Sequence, residues 1–133
     1  MPSRHHFDHQ SKIILTYWEG DMRDDESIQA FESYVAQLQS QLGVVNSYNE
    51  ILDCLAITSI QLTPNGIKTI ANISTKSGLS NNRLAIVVRS GMASTFAKLY
   101  QIYRTRIKGD KDIGIFQSHD EALIWVKDPI VEN

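Results

Sequence analysis

The sequence predicts an α/β fold: a mixed, mostly parallel sheet of about five strands, opened by a β-hairpin and covered by four helices. Three observations lead there. Short runs with strand chemistry alternate with runs of helical period along the chain. One of them, Leu84-Ala85-Ile86-Val87-Val88, is apolar without interruption, as expected of a central strand buried on both faces. Helix start signals recur where strand runs stop: Asp24-Asp25-Glu26, Thr63-Pro64 and Ser118-x-x-Glu121.

Taken in order, residues 4–7 and 12–18 flank the polar stretch Asp8-His9-Gln10-Ser11. The second run is rich in β-branched and aromatic side chains (Ile13, Ile14, Thr16, Tyr17, Trp18), so the pair reads as a hairpin. Glu19-Gly20-Asp21 breaks the strand pattern. The acids that follow open a long helix with an apolar stripe of Ile28, Phe31, Val35, Leu38 and Leu42, and Gly43 is placed to stop it. Residues 50–56 are too short for a helix and read as the third strand. Thr63 caps a second helix with Pro64 at its first position, and Ile67, Ile70, Ala71 and Ser74 form its inner face up to a stop near Gly78.

Residues 83–88 are the central strand, and Ser90 or Gly91 opens a third helix. Its expected stripe is Met92, Phe96, Leu99, Tyr103 and Ile107, with Tyr100 beside it on the surface. Residues 112–116 form the last strand. The final helix starts at the Ser118/Glu121 capping box, buries Ala122 and Leu123 with Trp125 and Val126, and ends at Asp128-Pro129.

The length of 133 residues fits one domain spanning 1–133, and 42% hydrophobic with 21% charged residues is ordinary for a globular chain. A net charge of -2 gives no reason to expect nucleic acid as a partner. The opening residues lack a secretory apolar region, and no window reaches the ~18 apolar residues of a membrane span, so a cytoplasmic protein without an integral membrane segment is expected. The single cysteine, Cys54, fits a reducing compartment.

The order hairpin, helix, strand, helix, strand, helix, strand, helix resembles the anti-sigma-factor-antagonist (SpoIIAA-like) branch of STAS domains. Four segments carry the resemblance: Tyr17-Trp18-Glu19-Gly20-Asp21, residues 53–60, Phe96-Ala97-Lys98-Leu99-Tyr100, and residues 118–125. It implies a regulatory or protein-interaction module without catalysis and without a cofactor. In such relatives a loop after the Asp-bearing strand holds a phosphorylated serine that switches binding to a kinase-type partner. Aligned from Asp53 without a gap, the acceptor and following serine positions fall on Leu62 and Thr63; with two residues inserted to match Gly66, they fall on Pro64 and Asn65. Neither alignment leaves an acceptor serine, and Thr63 is the one hydroxyl able to substitute. The fold is also similar to lipid-carrying SEC14-type domains, whose implied function is carriage of a small apolar ligand or lipid in a cavity between helices and sheet.

The candidate partner- or ligand-binding residues are therefore Asp53, Thr58, Thr63, Ser90 and Tyr100. Thr58 and Thr63 lie in the expected contact loop, residues 58–66. Ser90 sits where a strand's carboxyl end meets a helix start, the usual ligand position of open α/β sheets. Tyr100 stands beside a cationic group of Lys98, Arg104, Arg106, Lys108 and Lys111 that could steer an acidic partner. His5, His6 and His9 with Asp8 have metal-ligand chemistry, but on a strand His6 points away from the other two, and no metal site is expected. Cys54 lies inside an apolar run with no evident histidine beside it, so no nucleophile is assigned. A homodimer could form through the third helix or through the edge of the opening hairpin, which invites pairing without requiring it.

Overall fold

The computed structural model describes residues 3–128. Pro129, expected to close the last helix, and the side chain of Met92 lie outside the described residues. The chain runs β1 (Ser3–Asp8), β2 (Ile13–Arg23), α1 (Asp24–Ser40), α2 (Leu42–Val45), β3 (Asn49–Gln61), α3 (Pro64–Ser74), β4 (Asn82–Val87), α4 (Met92–Ile107), β5 (Lys111–Phe116) and α5 (His119–Lys127). The sheet follows chain order, β1-β2-β3-β4-β5. Only the hairpin pair is antiparallel; the other three pairs are parallel, as helical crossovers between successive strands require.

Strand alternation sends the two halves of each strand's side chains to different cores. Trp18, Leu52, Cys54, Leu84 and Ile86 meet Phe31 of α1, Ile67 and Ile70 of α3, and Phe96 and Tyr100 of α4. Ile13, Ile51, Ala85 and Val87 meet Ala122 and Val126 of α5. Three helices thus cover one face and α5 the other, each buried Leu, Ile or Phe side chain contributing about 1.5–3 kcal/mol. Thr63 caps α3 as expected, accepting from the Gly66 N–H at 3.0 Å. Ser118 caps α5, accepting from the Glu121 N–H at 3.1 Å.

The structure departs from the sequence reading in several places. Glu19-Gly20-Asp21 does not end β2; the strand continues to Arg23 through two register shifts, with Gly20 at a left-handed φ of 81°. β3 likewise runs to Gln61, so Thr58 lies in a strand, and Leu62 and Thr63 alone join it to α3. α1 stops at Ser40, and Gly43 lies inside the additional one-turn helix α2.

The inner face of α4 is turned from the expected one. Phe96, Ala97, Tyr100 and Arg104 are buried, while Leu99 and Tyr103 sit at the margin and Ile107 is exposed. Patterning misplaced it because Arg104 counts as a solvent residue. Its guanidinium is nevertheless fully buried, donating to the Lys108 carbonyl, with Nη2 3.0 Å from Asp110 Oδ1 though out of hydrogen-bond alignment. Lys111 is buried as well, against Glu50, so the expected cationic surface loses two of its five members.

Candidate functional site

β2 and β3 outrun their neighbours. The last β3 residue paired to β4 is Asp53, opposite Val87, whereas β3 remains paired to β2 as far as Arg23 and Gln61. Beyond Asp53 the sheet therefore narrows, among the described residues, to a two-stranded parallel ribbon whose β3 side has no strand partner.

Asp53 sits at that step. Its Oδ1 accepts from the Leu55 N–H at 3.0 Å, and its Oδ2 lies 3.2 Å from Nδ1 of His119, the first residue of α5. The His119 ring stacks on Tyr17 with centroids 6.3 Å apart and planes 6° from parallel, and the Arg4 guanidinium lies 5.2 Å from the Tyr17 ring centroid. Sequence reasoning missed His119 as a partner of Asp53, because 66 residues separate them; register alone, which puts Tyr17 opposite Asp53, would have joined those two.

Thr58 lies on the ribbon and Thr63 two residues past its end at Gln61, and both are exposed. Thr58 and Ser59 each donate to Asp21 Oδ1, at 3.1 and 2.6 Å. The Ser59 hydroxyl first, and the Thr58 hydroxyl with it, hold the Asp21 carboxyl below its ordinary pKa. Thr63 is held twice by Asp24: its N–H donates to Oδ1 at 2.9 Å and its hydroxyl to Oδ2 at 2.6 Å. Gly66 is required beneath this carboxylate, since a Cβ there would overlap it.

Ser90 is exposed in the β4–α4 turn. Tyr100 is a correction: it is 2% exposed, not a surface residue, and burial pushes its hydroxyl up to about 12. It lines a cavity of about 30 Å³ between sheet and helices that none of Asp53, Thr58, Thr63 or Ser90 lines. The five expected residues thus fall into different places. Asp53 stands at the sheet step, Thr58 on the ribbon, Thr63 just past its end, Ser90 in a turn and Tyr100 in the core.

A buried polar network borders the cavity. Glu50 Oε1 accepts from the Tyr34 hydroxyl at 2.9 Å, and Oε2 accepts from Asn82 Nδ2 at 3.2 Å and from Lys111 Nζ. Burial, then the Glu50 charge, push Tyr34 well above its ordinary pKa. Two histidines of the opening hairpin are engaged singly: His5 Nδ1 lies 2.9 Å from Thr16 Oγ1, and His9 Nδ1 2.8 Å from the Tyr48 hydroxyl. Among the described residues no three His, Cys, Asp or Glu side chains are placed to share an ion. No described helix is long and apolar enough to cross a membrane.

No family model matches the chain, and no curated protein matches its sequence. A solved structure does: an uncharacterised protein of the DUF3478 family with a SpoIIAA-like fold, from Shewanella loihica PV-4. It is 16% identical, covers 86% of this chain and 83% of its own, and superposes with a TM-score of 0.52. The chain has the SpoIIAA-like fold expected from its order of elements.

Proposed function

We propose that this chain is a non-catalytic regulatory or protein-interaction module that docks a protein partner on the β2–β3 ribbon and the start of α3. The observation that supports it most is the ribbon itself. A parallel pair whose β3 edge has no strand partner among the described residues, and whose hydroxyls are tied down by Asp21 and Asp24, is a platform to which an extended segment of another protein can add as a strand. Thr58 and Thr63 are the contact residues in this reading, with Asp53 at the step where the ribbon begins and Ser90 in the turn after β4.

The partner is bound without a phosphoswitch. The Thr63 hydroxyl already donates to Asp24 and accepts from Gly66, and a phosphoryl group there would set a second anion against the Asp24 carboxylate. The carrier alternative has a cavity in the right layer, but about 30 Å³ matches about two water molecules, not an acyl chain.

The test is site-specific photocrosslinking with benzoylphenylalanine at Thr58 and, as a control, at Val44, an exposed position on α2. The expected result is a protein adduct from Thr58 alone. Its purified partner should bind the chain, and Thr58→Arg should weaken that binding at least tenfold. Equal binding by Thr58→Arg and by the unsubstituted chain would overturn the reading.

A further inference from the structure

The geometry points to a resident water site inside the helix–sheet core, in which about two water molecules complete the coordination of the buried Lys111 ammonium. The Glu50–Lys111 pair has side chains 6% and 3% exposed, and a pair so deeply buried holds only if its remaining donors and lone pairs are met. Glu50 is met: Tyr34, Asn82 and Lys111 all donate to it. Lys111 is not. Its Nζ has three donors, and among the described residues Glu50 is its one partner.

The cavity beside Lys111 supplies what the protein does not. Its ~30 Å³ exceeds the ~10–15 Å³ that one water needs and admits about two. A water there also needs further polar neighbours, and the hydroxyl-bearing residues Thr16, Tyr34, Ser74, Ser77 and Tyr100 are among those that line the same space, together with apolar side chains such as Trp18, Phe31 and Leu52. Ser77 accepts from the Leu79 N–H and Ser74 donates to the Ala71 carbonyl, which leaves each hydroxyl with hydrogen-bonding capacity for a solvent molecule. Lys111 also lines a surface cleft with Asn81, Asn82 and Asp110, so the residue lies between the cavity and that cleft.

The occupant distinguishes this cavity from an apolar-ligand pocket, because a dry apolar cavity takes up xenon and a hydrated polar one keeps its water. The test uses crystals of the intact chain, at a resolution that shows ordered solvent, with and without xenon pressurisation. The expected result is solvent density within 3.2 Å of Lys111 Nζ and no xenon peak in the cavity. Xenon bound between Tyr100 and Lys111, or a cavity with neither solvent nor xenon density, would overturn the proposal. A solution measurement makes the result independent of the crystal: water–protein cross-relaxation to the Tyr100 ring protons is expected in the unsubstituted chain, and its absence would contradict the site. In Lys111→Met paired with Glu50→Gln, the same signal should be lost or at least halved. Retention at full strength would remove Lys111 from the site.

Discussion

Asp24, the first residue of α1, holds Thr63, the N-cap of α3, through both of its carboxylate oxygens, at 2.9 and 2.6 Å. One side chain thereby ties the starts of two helices to the end of the ribbon. Thr63→Ala should cost about 1 kcal/mol by loss of the cap, read as a lower urea midpoint at unchanged slope. Gly66→Ala should cost more, and part of that penalty should vanish in an Asp24→Ala background. The interaction measured by the cycle should fall in the range of about 0.5–3 kcal/mol seen for residues in contact.

The Glu50–Lys111 pair gives a second prediction. Lys111→Met alone leaves a buried carboxylate without its cation and should destabilise by about 3–5 kcal/mol. Glu50→Gln with Lys111→Met should recover most of that loss in the same denaturation experiment. A single variant as stable as the parent would mean that the pair is not buried in solution.

Cys54 is 2% exposed, and burial, with the Asp53 charge added, pushes its thiol far above the ordinary range. It is therefore a protonated, inaccessible thiol at neutral pH. Ellman's reagent should leave the folded chain unmodified over hours and react with one equivalent in denaturant. Fast modification of the native protein would contradict this packing.

Stability should fall in mildly acid solution. Burial lowers the pKa of His5 below its ordinary 6.5, so the unfolded chain takes up a proton that the folded chain resists. The contribution is whole above 6.5 and is lost as pH drops from there through the folded value. His5→Gln should flatten the melting temperature between about pH 7 and pH 5. The hydroxyl-bonded Asp21, whose pKa lies below 3.8, adds a separate loss at lower pH.

How much of this was legible depends on the kind of signal. Strand alternation, the apolar run at β4 and the caps at Thr63 and Ser118 are local rules, and they gave the order of elements that the SpoIIAA-like neighbour shares. The ribbon was not legible, because Glu19-Gly20-Asp21 has turn chemistry and only pairing with β3 keeps it extended. Nor was the inner face of α4: hydropathy cannot see that Asp110 awaits Arg104, or that Glu50 awaits Lys111 across 61 residues. Tyr100 was placed outside for that reason. The dyad of Asp53 and His119 joins β3 to α5 and leaves no trace in spacing.

The account turns on the ribbon as the docking surface, and amide hydrogen exchange of the chain, alone and bound to the protein crosslinked at Thr58, tests it most directly. The account predicts that binding slows exchange in residues 54–66 by at least tenfold and leaves α2 and the Lys111 end of β5 unchanged. Protection confined to α5 or to β1, with residues 54–66 unaffected, would contradict it.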